Sequence, residues 1–211
     1  MEDNNKYEII LKNIKIEFPN LPIEVINLWI FPIAKKKGWP PSEHNQWDKK
    51  VSGEQFSFWN DAKWEKVTLN LGEINYSQSY FNTMIGLRDA YMEGKQNNYA
   101  LLENGKQRFL NCLRYILENG KFPQSPILCL DEFNEYCVLD GNHRFCAFLS
   151  AERLYKEYQT NSIEEQEFLK KMEIANIKLP NIEQEVWICI PKWENSSDAQ
   201  ARLRLRELGF Y

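Results

Sequence analysis

The chain has no surplus of positive charge. Lys and Arg number 26 against 30 Asp and Glu, a net charge of −4 at neutral pH. A clustered cationic surface for a phosphate backbone is therefore missing from the totals, which argues against a dedicated nucleic-acid binder. No stretch reaches the roughly 18–20 uninterrupted apolar residues that a membrane span needs. The most apolar early run, Leu21 to Ala34, is broken by Glu24, Asn27 and Pro32. The start, Met-Glu-Asp-Asn-Asn, lacks the basic opening of a secretion signal, so a cytoplasmic location is expected. There is no Cys-x-x-Cys pair among the five cysteines. Cys129, Cys137, Cys146 and Cys189 sit in apolar runs and read as reduced core residues. Only two histidines occur, His44 and His143, far apart in sequence, which disfavours a zinc site. Internal repeats and low-complexity tracts are also missing.

What the chain has is aromatic residues: 7 Trp, 10 Tyr and 12 Phe in 211 residues. Four of the tryptophans, Trp39, Trp47, Trp59 and Trp64, fall in one short Gly- and Pro-containing stretch. The composition shifts near residue 75, which suggests an aromatic N-terminal extension over 1–74 and an α/β domain over 75–211. The extension reads as a cap on a core. Its tryptophans are also the kind of residue that forms a protein-binding surface, with Trp39–Trp64 as the contact region. Within it, Pro22 to Ala34 predicts a helix stopped or kinked at Pro32. Lys35–Lys37 and Gly38 then mark its end. Alternation of Val67, Leu69 and Leu71 predicts a strand.

The second part is more regular. Tyr80, Phe81, Met84, Ile85 and Leu87 predict a helix ending near Gly94. Phe109, Leu110, Leu113, Ile116 and Leu117 form one apolar stripe, closed by Asn119-Gly120. Ile127–Leu130 and Tyr136–Leu139, around Asp131–Glu135, predict a β-hairpin. A further helix begins at about Asn142. Ser162 and Glu165 form a capping box, Glu185 to Ile190 predicts a buried strand, and Ser197 to Gly209 a last helix. The expected fold is α/β, a small mixed sheet flanked by helices.

Chemistry concentrates in Asp140-Gly141-Asn142-His143-Arg144, where a strand ends and a helix begins. Gly permits the tight turn. A helix start exposes unpaired N–H groups and partial positive charge, which suits an anion. Arg144 carries a planar fork that matches phosphate, and His143 titrates near neutral pH. Each residue has a plain alternative. Asp140 can simply shape the turn, Arg144 can pair with an acidic neighbour, and His143 can cap or pack. Lys106, Arg108 and Arg114 precede the hairpin and read as a solvated helix face whose start can reach the loop. Arg202, Arg204 and Arg206 read as surface charge, and His44 as a loop residue.

The five-residue motif, with the strand before it and Phe145-Cys146-Ala147 after it, resembles the signature of the ParB/sulfiredoxin superfamily. The resemblance covers about residues 100–155, and 75–192 loosely; residues 1–70 match nothing in it. It implies a small α/β domain whose loop holds nucleotide phosphates through Gly141, Asn142 and Arg144. Asp140, His143 and Arg144 would carry any chemistry, with Asp140 a candidate Mg²⁺ ligand. It implies a nucleoside di- or triphosphate as cofactor, or another phosphorylated small molecule as ligand. Asn142 stands where sulfiredoxins carry Cys, which removes their sulfur chemistry. No arginine-rich motif of the CTP-switch kind follows. Three functions are consistent with this: a nucleotide-binding phosphotransferase or hydrolase, a non-catalytic antitoxin-like or regulatory protein working through its Trp-rich region, and a ParB-like nuclease acting on DNA.

Overall fold

The computed structural model describes residues 2–41, 50–51, 54–93, 104–159, 166–167, 169–170, 174 and 177–196. The capping box at 162–165, the helix expected after Ser197, His44, Trp47 and Arg202, Arg204 and Arg206 lie outside them. The chain divides into two compact units. One draws on 1–65, 129–135 and 187–211, the other on 66–128 and 136–186. The units do not follow a single cut at 74/75, because the chain passes between them more than once.

The first unit opens with α1 (Glu2–Glu17), a helix that the sequence reading passed over. Its buried stripe is narrow: Ile10, Ile14 and Phe18 recur every four residues, while Ile9 and Ile16 stay exposed. That mixture hides the period. The next helical run extends through Pro32 rather than stopping there. It comprises α2 (Ile23–Val25), a widened turn over Ile26–Ile30 and α3 (Phe31–Lys37). The Phe31 amide bonds the Ile26 carbonyl five residues back, directly before Pro32. Proline cannot donate and crowds the preceding turn, and a single π-type turn absorbs both problems. Gly38 caps α3 through its amide to Ala34, as expected.

A short antiparallel pair, β1 (Lys50–Val51) and β2 (Glu54–Gln55), leads into α4 (Phe56–Asn60). Here the aromatic residues turn inward. Trp59 is 2% exposed and Trp29 5%. Their rings meet edge-to-face at 5.1 Å, Phe58 packs on Trp59 at 5.0 Å and on Trp193 at 5.1 Å, and Trp39 stacks on Phe56. The Trp64 indole donates to the Trp59 carbonyl. Trp29 and Trp59 thus build the interior of this unit, while Trp39 and Trp64 are half-buried.

A four-stranded sheet has the order β3–β6–β4–β5, with β3 (Lys63–Asn70), β4 (Ile127–Leu130), β5 (Tyr136–Asp140) and β6 (Glu183–Ile190). The two inner strands are apolar on both faces, since Ile127–Cys129 and Val186–Cys189 are all buried. β4 and β5 are neighbours joined by five residues, which admits only an antiparallel hairpin. Asp131 Oδ1 accepts from the Phe133 and Glu135 amides and shapes that turn.

The second unit contains α5 (Gln78–Glu93), α6 (Gly105–Asn119) and α7 (Asn142–Gln159). α6 and α5 both pack against α7. Phe109, Leu113, Ile116 and Leu117 are fully buried on α6, and Phe145, Ala147, Phe148, Ala151 and Leu154 on α7. Gly120, at φ 73°, ends α6 with its amide on Ile116. The Lys178 amide then satisfies the Leu117 carbonyl. Buried Gln184 of β6 fastens this end, taking the Phe122 amide and donating to the Gly120 and Asn181 carbonyls. The α/β class with helices flanking a small mixed sheet is as expected. Among the described residues, no helix is long and apolar enough to cross a membrane.

Candidate functional site

β5 is held in place by the segment before α5: the Tyr136 amide bonds Asn75 and the Ser77 amide bonds Tyr136. The strand ends at Asp140, Gly141 turns the chain at φ 101°, and the Gly141 carbonyl accepts the first bond of α7, from Phe145. The strand–Gly–helix junction is thus formed within the second unit, where the sequence places it.

Arg144 does not point away from this junction. Its Nη2 donates to Asp140 Oδ2 at 2.7 Å and its Nη1 to Gln124 Oε1 at 2.7 Å, and the side chain is only 12% exposed. Nε is buried without a partner. The guanidinium lies against Gly141. A Cβ on that residue would come within 2.8 Å of Nε, 2.9 Å of Nη2 and 3.0 Å of Pro126 Cβ. Gly141 is therefore required twice, by its dihedral and by the close approach of Arg144. Of the two readings of Arg144, the geometry displays the ion pair: the arginine clamps the turn. Asp140 is the other half of the clamp. Burial pushes its carboxyl above the usual range, against the opposing pull of Arg144, the Gly141 amide and Arg108.

His143 points to a different neighbourhood. Its Nε2 lies 3.1 Å from the Tyr91 hydroxyl of α5, and the two rings stack at 5.8 Å with 25° between planes. Tyr91 packs in turn on Phe109. Gly105, the first residue of α6, closes the group. A Cβ there would sit 2.6 Å from the Tyr91 hydroxyl and 3.4 Å from His143 Nε2. The first turns of α6 and α7 therefore meet around His143. No side-chain bond caps the start of α6 from Asn104, and before α7 the Gly141 amide is taken by the Asp140 carboxylate.

Arg108, in the first turn of α6, is exposed and makes no ion pair among the described residues. Burial raises Asp140, Tyr91 and Cys112, the positive charge of Arg108 partly opposes each of these shifts, and the same charge adds to the depression of His143. Burial is the main cause of that depression, followed by Arg108 and Arg144, and all three favour the neutral imidazole. The α6 start is thus both a solvated face and a neighbour of the loop. Lys106 is exposed on the same turn.

Asp140, His143 and Arg144 are neighbours but work in two groups. Asp140–Arg144–Gln124 holds the turn, and His143–Tyr91–Gly105 joins the two helix starts. Asn142 is exposed at the first position of α7. Sequence reasoning missed Tyr91, Gly105 and Gln124. Tyr91 looks like one more buried aromatic of a helical stripe, Gly105 like a breaker, and nothing local marks Gln124. All five cysteines are free, with Cys129, Cys146 and Cys189 buried. The Cys146 thiol is pushed up to about 12 by burial, which leaves it chemically inert.

The expected Mg²⁺ ligand has little to give. Asp140 is committed to Arg144 and the Gly141 amide, and among the described residues no group of three His, Cys, Asp or Glu could hold a metal. Compared with family models, curated proteins and solved structures, the chain matches none.

Proposed function

We propose that the second unit binds a phosphorylated small molecule, a nucleotide being the favoured class, at the junction of α6 and α7. The observation that carries this reading is the meeting of two helix starts around His143 beside the exposed Arg108, which makes no ion pair among the described residues. Unpaired N–H groups at a helix start favour an anion, and two starts sum. Arg108 would supply the mobile cation, His143 a hydrogen bond, and the Asp140–Arg144 clamp would keep the loop in shape. The resemblance of Asp140–Arg144 to the ParB/sulfiredoxin signature supports the same ligand class. Mg²⁺ enters only as the counter-ion a nucleotide brings with it. Whether phosphoryl transfer or hydrolysis follows binding is decided by turnover assays, since fold and loop do not fix a reaction. Within the Trp39–Trp64 region, Trp59 is buried in the interior of its own unit and offers a partner nothing, whereas Trp39 and Trp64 are half-buried.

Thermal shift tests the proposal. A ligand that binds only the folded state stabilises by RT ln(1 + [L]/Kd), about 2.7 kcal/mol at 100 Kd. ATP, CTP, GTP, ADP and inorganic phosphate, with Mg²⁺, form the panel. At least one is expected to raise the melting temperature, and Arg108→Ala is expected to abolish the rise while leaving the unliganded protein within about 0.5 kcal/mol of wild type. No shift with any of them at millimolar concentration overturns the proposal.

A further inference from the structure

We propose that Tyr91 is a positioning residue that fixes the proton of His143 on Nδ1, making the imidazole a neutral hydrogen-bond donor at the start of α7. The geometry gives three reasons. The Tyr91 hydroxyl is in hydrogen-bond range of Nε2 and of no other nitrogen of that ring. The stacked rings hold the pair in register, and Phe109 backs the tyrosine from the other side. Gly105 leaves room for the hydroxyl where any side chain would collide with it.

The direction of the bond follows from the chemistry of the partners. An imidazole lone pair is a strong acceptor and a phenol O–H a good donor, whereas a phenol oxygen accepts only weakly from an imidazole N–H. The favoured arrangement has Tyr91 O–H donating to Nε2, so the ring proton sits on Nδ1. The surroundings maintain that state. From α5, Tyr91 keeps its proton because burial raises it. From α6, Arg108 opposes a second proton on the ring, and so does Arg144 from α7 itself. Asp140, at the end of β5, is neutralised by Arg144. A neutral imidazole at a helix start, acting as donor rather than cation, is a recurring way to polarise an oxygen without adding a mobile charge. In this arrangement His143 offers Nδ1–H as a fixed donor.

The use of that donor toward a phosphate oxygen rests on the function proposed above; the tautomer does not. Long-range ¹⁵N–¹H NMR of the full chain at neutral pH reads both. His143→Gln assigns the signal, since the only other histidine is His44. The wild type is expected to show His143 neutral with hydrogen on Nδ1. Tyr91→Phe, which keeps the ring and removes the hydroxyl, is expected to return the ring toward the ordinary Nε2–H form. Gly105→Ala, which alters neither partner but displaces the hydroxyl, is expected to do the same. An Nε2–H tautomer or an imidazolium in the wild type overturns the proposal, as does an unchanged tautomer in Tyr91→Phe. Inorganic phosphate is then titrated into the wild type. An expected tautomer with no phosphate effect on His143 leaves the positioning role standing and removes the anion reading.

Discussion

Arg144 is the residue on which sequence and structure diverge most usefully. A motif arginine after a glycine turn suggests a ligand-facing fork, yet here both terminal nitrogens are used internally. Its substitution is therefore expected to register in stability. Exposed pairs contribute about 0–1 kcal/mol and breaking a fully buried pair costs about 3–5 kcal/mol. With Arg144 12% and Asp140 32% exposed, Arg144→Ala is expected to cost about 1–3 kcal/mol in a urea melt, interpolating between those limits. Arg108→Ala is expected to cost almost nothing, so a reversed order would reassign the two arginines. His143 carries the second residue-level expectation. Its folded-state pKa lies below the ordinary value near 6.5, so the unfolded chain binds more protons than the folded one as the medium acidifies. The stability it contributes is present above about pH 6.5 and is lost as pH falls through the folded value, with a slope of at most about 1.4 kcal/mol per pH unit. Melts of wild type and His143→Gln across that window check the sign: the variant is expected to have the flatter profile.

At the scale of elements, the telling feature is how α6 ends. Helix C-termini leave carbonyls unpaired, and Gly120 satisfies only part of the need. The Lys178 amide takes the Leu117 carbonyl, and Gln184, from a strand more than sixty residues later in sequence, fastens the exit by accepting from the Phe122 amide and donating to the Gly120 carbonyl. Gln184→Leu keeps the volume but leaves the buried Phe122 amide without its partner, while the Gly120 carbonyl keeps the Asn181 amide. At about 1–3 kcal/mol for an unsatisfied buried group, a loss of about 1–3 kcal/mol is expected in equilibrium unfolding. A loss below about 1 kcal/mol would show that other groups take over the bonds. The Ile26–Ile30 turn illustrates the same scale. The proline was legible in the sequence, but the register change that lets the helix survive it is a property of the folded backbone.

For the whole molecule, net charge sets one expectation that needs no site. At −4 the chain lacks the clustered cations that counterion release requires. Duplex DNA binding at about 150 mM salt is expected to be weak, measured by fluorescence anisotropy. Sub-micromolar affinity under those conditions would favour the nuclease alternative over small-molecule binding.

Much of the architecture was determined by sequence alone, because it depends on local period and local stops. The α6 stripe from Phe109 to Leu117, its end at Gly120, the 127–139 hairpin and the start of α7 at Asn142 each follow from residues within a few positions of one another. So does the strand–Gly–helix junction that frames the site. α1 was not legible, because Ile9 and Ile16 lie on its solvent side and blur the stripe made by Ile10, Ile14 and Phe18. The division into units was not legible either, since chain segments far apart in sequence condense together. The partners within the site were decided only by tertiary structure. Nothing near His143 in sequence points to Tyr91, 52 residues earlier, and nothing near Arg144 points to Gln124. A motif specifies which groups are present and roughly where the backbone turns. Which of those groups face a ligand, and which are spent on holding the turn, depends on the side chains that packing brings against them.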